Sequence, residues 1–197
     1  MRYDNQHKQQ TRRRVLEAAA EAIRTEGPER IGVAAVMTRA GLTHGGFYAH
    51  FDSKEMLVAA TIDFMFDRDE AKFVETTRGR SASEALAVYI DFYLSIGHCG
   101  SRGTGCAMAS LVSELPHLSA SARERFTRGA QRLHRRLMDL LERVGVDDAK
   151  SLALTLRSAM VGALAMARAQ NNFADGDAIL QATRVDLLRR LGIGTDA

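Results

Sequence analysis

The residues best suited to chemistry lie in the segment 43–50, where polar side chains surround two adjacent glycines. Hydroxyl and imidazole groups donate hydrogen bonds to phosphate oxygens and reach the edges of nucleic-acid bases. Gly45 and Gly46 each cost about 1 kcal/mol relative to alanine inside a helix. That cost favours a close approach of the backbone to DNA, with close packing against another helix as the alternative. The polar side chains are those of Thr43, His44, Tyr48 and His50.

The elements that position these residues are two short helices, predicted over about 33–40 and 44–50. Gly41 suits the turn between them because glycine accepts a left-handed backbone, and we expect the Thr43 hydroxyl to cap the second helix. This spacing is typical of a helix-turn-helix. Strand signals are weak, so the fold is predicted to be all-α. Further helices are predicted over 8–25, 52–73, 83–97, 106–114, 120–144, 148–170 and 176–191.

The charge of the 197-residue chain is +3, which permits nucleic-acid binding without requiring it. Its N-terminal arm is basic, a pattern typical either of phosphate contacts or of a solvated helix end. No stretch approaches the ~18 apolar residues of a membrane span, so we expect a cytoplasmic protein without a membrane partner. The arm carries Arg2, Lys8, Arg12, Arg13 and Arg14 against the single acid Asp4.

The two cysteines, Cys99 and Cys106, flank a glycine-rich segment and are expected to be reduced in the cytoplasm. Cys106 begins a predicted helix, where the dipole lowers a thiol pKa. A small buried residue at a helix start is the preferred interpretation of this position, with a redox or electrophile sensor that uses Cys106 and Cys99 as the alternative. Neither CxxC nor HxxxH spacing is present, so no metal or cofactor is predicted.

Two other classes of function compete with DNA binding. A thiol-dependent enzyme would use Cys106, yet no acid or base lies near it in the sequence, so we expect no enzyme activity and no catalytic residues. A helical adaptor would bind protein instead of DNA. The paired glycines and the basic arm argue against that adaptor.

The segment 11–64 resembles the DNA-binding head of the TetR family of transcription regulators. The resemblance rests on Ala40-Gly41, on Phe47-Tyr48 and on the run His50–Glu55. It implies an N-terminal three-helix helix-turn-helix DNA-binding domain over 8–68 and a C-terminal helical ligand-binding and dimerisation domain over 81–193. About nine helices are implied in all.

The resemblance also implies a mechanism. A homodimer would bind a palindromic operator in double-stranded DNA and act as a repressor. A small-molecule inducer or an electrophile that modifies a thiol would release it. The neighbourhood of Gly105-Cys106, with Leu111 and Glu114-Leu115, resembles a TetR subgroup that responds to reactive electrophiles or small organic ligands.

Individual contacts follow from the same resemblance. Thr43, His44 and Gly45 fall at positions that contact bases, and His44 with the two glycines, Gly45 and Gly46, would set operator choice. The positions that contact phosphate are Tyr48, His50 and Lys54. Gly32 and Val33 begin the first short helix, whose N-terminus would face a phosphate through its backbone N–H groups.

The last two long helices are predicted to form the family's dimer interface. Ser158 and Gly162 would let another backbone approach the first of these helices closely. The same helix carries many small and apolar residues, namely Ala153, Leu156, Ala159, Met160, Ala163, Leu164 and Ala167.

Overall fold

The structure, a computed structural model, describes the backbone of residues 2–193 and side chains from residue 6 onward. Arg2 and Asp4 of the basic arm therefore have side chains outside the described residues. The described backbone is all-α, as predicted, and contains no strand. Its α-helices are α1 (Arg2–Glu26), α2 (Val33–Arg39), α3 (Lys54–Thr77), α4 (Ala82–Tyr93), α5 (Ile96–Gly100), α6 (Ala107–Leu111), α7 (Ala120–Val144), α8 (Ala149–Arg168) and α9 (Phe173–Arg190).

The described residues also contain three short 3₁₀ helices, at His44–Ala49, Arg102–Thr104 and Leu115–His117. None of the described helices is long and apolar enough to cross a membrane.

The chain forms two compact units, each built from separated segments. Unit 1 contains the residues up to Asp67 together with Arg102–Gly129. Unit 2 contains Arg68–Ser101 together with the residues from Ala130 onward. The functional domain limits expected from the sequence, 8–68 and 81–193, remain a prediction.

The core of unit 1 forms where α1 packs against α2. Val15, Ala19 and Ile23 recur at helical spacing on α1, and all three are buried. The same unit buries Phe47 and Phe51. Val15, Ala19 and Ile23 therefore form a core face of α1.

The second element of the helix-turn-helix differs from its prediction, because residues His44–Ala49 form a 3₁₀ helix and not an α-helix. Its first turn closes through a bond from the Gly46 amide to the Thr43 carbonyl, 3.1 Å long. Two glycines favour an α-helix weakly, and this element adopts the tighter i→i+3 pattern although 3₁₀ runs of six residues are uncommon. The expected Thr43 hydroxyl cap is also wrong, since the side chain makes no capping bond.

Ion pairs attach α7 to α3 within each unit. In unit 1, Asp63 accepts hydrogen bonds from Arg125 and, at 3.0 Å, from Arg128. In unit 2, the Glu70 carboxylate lies 2.9 Å from the Arg136 guanidinium. Each carboxylate thus pairs with arginines that face it from α7.

A glycine sets how closely α7 approaches α3 in unit 1. A Cβ atom on Gly129 would lie 2.2 Å from Cγ of Phe66, which is fully buried. We expect Gly129→Ala to destabilise the protein by about 1–3 kcal/mol, because a rigid buried ring cannot yield to the added methyl group. The midpoint of urea unfolding measures the change.

Gly97→Ala is the matched control, because a Cβ there would meet its nearest neighbour, Ser95 Oγ, at 3.9 Å. That substitution should leave stability unchanged or raise it by up to about 1 kcal/mol. Equal gains in both variants would contradict the close packing at Gly129.

Candidate nucleic-acid interface

The exposed side of the 3₁₀ helix carries most of the residues predicted to contact bases. Thr43, His44 and Gly45 are exposed, and Gly46 is half-buried. Tyr48 has 68% of its surface exposed. The helix-turn-helix therefore presents two hydroxyls and an imidazole on one short stretch of backbone.

Two buried phenylalanine rings pack on the inner side of this stretch. The rings of Phe47 and Phe51 are buried and stack with their centroids 5.8 Å apart. Tyr48 meets Phe47 edge-on at 5.2 Å. Burial of the two phenylalanines fixes which side of the 3₁₀ helix faces outward.

Open space surrounds the first of the two adjacent glycines. A Cβ on Gly45 would have no neighbour within 4 Å. On Gly46 it would meet Met37 Cε at 3.7 Å, an ordinary contact distance. Packing against the other described residues therefore does not require glycine at position 45.

Two residues predicted to contact phosphate also make contacts within the chain. Lys54 begins α3, and its ammonium donates to the Glu29 carbonyl at 2.7 Å. His50 ends the 3₁₀ helix and is half-buried. Burial, and then the nearby cations Lys8 and Arg12, lower the pKa of His50. Its imidazole is therefore predominantly neutral at pH 7.

Gly32 and Val33 lie at the start of α2, as expected. Gly32 is the exposed N-cap residue with an extended backbone, and it supplies no capping side chain. Val33 is half-buried. A contact at this end of α2 would have to use backbone N–H groups.

The basic arm makes specific contacts that the sequence did not predict. Arg12 donates to the carbonyl of His50, and Arg14 donates to the carbonyl of Ala40 at 2.5 Å. Neither of the two alternatives stated for the arm, phosphate contact or a solvated end, includes these bonds. The sequence signal for these bonds was the position of Arg12 and Arg14 beside the buried face of α1.

The cysteines are both buried, with 9% of Cys99 and 4% of Cys106 exposed. Cys99 lies in α5 of unit 2, whereas Cys106 is the N-cap residue of α6 in unit 1. α6 has only five residues, so few peptide dipoles align behind Cys106. No disulfide involves either one among the described residues. In that same part of the chain, no three His, Cys, Asp or Glu side chains are grouped to hold a metal.

The apolar residues expected at a dimer interface on α8 lie mainly inside the chain. Six of the seven are buried and the seventh, Ala159, is half-buried. They form the core face of α8, which packs against α9. Ser158 and Gly162 lie on the opposite, exposed face. These apolar residues therefore face the core of the chain, and a dimer interface on the last two helices stays a prediction.

Comparison with known proteins identifies the helix-turn-helix. Residues 15–61 match the family model described as bacterial regulatory proteins, tetR family. This segment is similar to the members of that family. A regulator from Pseudomonas putida, the HTH-type transcriptional regulator TtgR, is 34% identical over 67 residues. That match covers 34% of this chain and only 32% of TtgR.

Solved structures share the TetR-like fold of this chain over most of its length. A TetR transcriptional regulator from Chloroflexus aurantiacus superposes with a TM-score of 0.82 at 22% identity, over 95% of this chain and 96% of that one. The reduced form of NemR from E. coli gives a TM-score of 0.76 at 20% identity, over 88% and 95%. These similarities establish the fold of both units.

Neighbouring aromatic residues allow a direct test of which side of the 3₁₀ helix is buried. Phe47→Ala should destabilise the protein by about 3–5 kcal/mol, because it removes a buried ring from a core. Tyr48→Ala should cost less than about 1 kcal/mol, because most of that ring is already in water. Thermal unfolding followed by circular dichroism distinguishes the two, and equal losses would contradict the assigned orientation.

Proposed function

We propose that the protein is a DNA-binding transcription regulator of the TetR type, a repressor that binds a palindromic operator as a homodimer in the cytoplasm. The observation that carries this proposal is the outward-facing stretch 43–48, which combines polar side chains with open space at Gly45. A helix-turn-helix presents such a stretch to the major groove. The TetR-family match over 15–61 supports the same function.

The proposed contacts divide into two kinds. Thr43, His44 and the backbone at Gly45 and Gly46 contact base edges, where donors and acceptors distinguish one base pair from another. A second set of groups contacts the phosphates beside these bases, and such contacts fix the position of the domain on the duplex. The phosphate-contacting groups are Tyr48, His50, Lys54 and the N–H groups at Gly32 and Val33.

The proposed homodimer uses the exposed face of α8 and α9 in unit 2. Leu154 and Met166 on α8 are 42% and 57% exposed, and Val185 on α9 is 46% exposed. Ser158 and Gly162 lie between Leu154 and Met166, so a partner backbone can approach closely there. From Leu154 to Met166, at helical spacing of four residues, the α8 part of this face is uncharged and has small residues at its centre, which suits a symmetric helix contact.

The release signal we propose is a small organic ligand held by unit 2. Phe92 stacks on His98 with 5.2 Å between centroids, and Tyr93 meets the same imidazole edge-on at 4.9 Å. The Lys72 ammonium lies 5.2 Å from the centroid of the half-buried Phe92 ring. Such a cluster offers stacking surfaces and one cation to an aromatic or acidic ligand.

Thiol modification at Cys106 is the second candidate signal. Cys106 immediately precedes α6, which packs against α1 of the helix-turn-helix within unit 1. A group added to this buried sulfur would disturb that packing. The name of one structural neighbour, a reduced form of NemR, is compatible with such chemistry.

The proposed function is tested by selecting duplexes from a random-sequence library with the wild-type protein. We expect a palindromic duplex that binds two chains, with the logarithm of the association constant falling by about 0.9 per phosphate contact for each unit of log[salt]. His44→Ala should change the ranking of sequences. Tyr48→Phe should weaken all of them similarly. Sedimentation gives the stoichiometry, and fluorescence anisotropy gives the affinities.

The contrast between the two variants is the control in this experiment. If no sequence is enriched, or if binding does not depend on salt, the proposed function is wrong. If His44→Ala weakens all sequences equally, His44 does not contact bases.

Cys106→Ser separates the two candidate signals. Serine is close in size to cysteine but is not alkylated or oxidised under the same conditions. If thiol modification is the signal, N-ethylmaleimide will release wild-type protein from the selected duplex and will not release Cys106→Ser. Cys99→Ser is the matched control. Equal release of all three proteins would eliminate the thiol signal at Cys106.

A further inference from the structure

Two arginines of α1 contact the carbonyl ends of both helix-turn-helix elements. The Arg14 guanidinium donates to the carbonyl of Ala40, the residue that ends α2. The Arg12 guanidinium donates to the carbonyl of His50, the residue that ends the 3₁₀ helix. Both bonds join distant parts of the chain within unit 1.

These contacts suit the chemistry of a helix C-terminus. The last carbonyls of a helix lack intrahelical donors and carry partial negative charge. A guanidinium is a permanent cation with five N–H donors, so it can satisfy them. Arg12 adds a second contact, because its guanidinium carbon lies 4.2 Å from the centroid of the buried Phe51 ring.

The turn between the two elements leaves room for one of these arginines. Gly41 has φ +68°, and a Cβ there would lie 2.7 Å from Arg14 Nη2. The glycine therefore permits both the left-handed turn and the approach of the guanidinium.

Arg13 provides the contrast to its two neighbours. Its side chain is 73% exposed and pairs with Glu17 at 3.1 Å along α1. Successive helical residues are separated by about 100° around the axis. Arg12 and Arg14 therefore leave α1 on opposite sides of Arg13, and each contacts a different element.

We propose that Arg12 and Arg14 are positioning residues for sequence recognition and do not contact DNA phosphates. They hold the ends of α2 and of the 3₁₀ helix against α1, which fixes the direction in which Thr43 and His44 project. This inference rests on the proposed DNA-binding function. It assigns to the basic arm a role different from the phosphate contact that its charge suggests.

The proposal distinguishes specific from non-specific binding. Base contacts require the recognition element in one orientation, whereas phosphate attraction tolerates small displacements. Loss of either arginine contact should therefore weaken binding to a selected sequence much more than binding to a scrambled one.

The test compares Arg12→Gln, Arg14→Gln and the control Arg13→Gln, which all lose the same charge. Each binds the duplex selected by the wild-type protein and a scrambled duplex of equal length, over a range of KCl concentrations and well below the unfolding temperature. We expect Arg12→Gln and Arg14→Gln to lose about tenfold in affinity for the selected duplex relative to Arg13→Gln, which is the scale of one hydrogen bond to a charged group. Affinity for the scrambled duplex and the salt slope should match those of Arg13→Gln.

A different result would overturn the positioning role. If Arg12→Gln and Arg14→Gln weaken both duplexes equally and have slopes shallower than Arg13→Gln by about 0.9, each arginine contacts a phosphate. Affinities equal to that of Arg13→Gln for both duplexes would show that neither arginine matters for recognition.

Hydrogen exchange of the DNA-free protein tests the contacts independently of the proposed function. Amides of residues 44–51 should exchange faster in Arg12→Gln than in Arg13→Gln, because the end of the 3₁₀ helix is released. Unchanged exchange would contradict the contact even if the wild-type protein selected no duplex. If Arg12→Gln does not fold, Arg12→Lys replaces it, since lysine keeps the charge but not the planar group, and the same increase is expected.

Discussion

The packing of α2 against α1, and of the 3₁₀ helix against α2, is the constraint on which the candidate interface depends. α2 has seven residues and the 3₁₀ helix has six, well below the ~12–15 residues at which isolated helices become marginally stable in water. Their conformation must therefore come from tertiary contacts. Buried Phe47 and Phe51 supply the apolar contacts, and Arg12 and Arg14 supply polar contacts at the two ends.

Much of this arrangement follows from the sequence, because local signals agree with the tertiary structure. Gly41 predicted the turn between the two short helices, and its backbone has the expected left-handed conformation. The long helix 120–144 begins and ends where expected. Within the candidate site, the polar residues Thr43, His44 and Tyr48 lie exposed around the two glycines that the sequence singled out. These features depend on interactions only a few residues apart.

Other features depended on distant parts of the chain, and sequence patterns could not predict them. The side chains of Arg12 and Arg14 reach carbonyls that lie far along the chain, so their charge alone suggested phosphate contact. On α8, small residues occur on both faces, and only packing against α9 shows which face is buried. The 3₁₀ geometry at 44–49 likewise departs from the α-helix that its spacing favoured.

Residues 43–46 are proposed to contact base edges, while Arg12 and Arg14 of α1 hold the ends of the two short helices in place. A crystal structure of the protein bound to its selected duplex tests this claim most directly. Thr43 and His44 should lie within hydrogen-bonding distance of base edges in the major groove. Arg12 should still donate to the carbonyl of His50, and Arg14 to the carbonyl of Ala40. A complex in which those two arginines contact phosphates, or in which 43–48 faces away from the duplex, would contradict it.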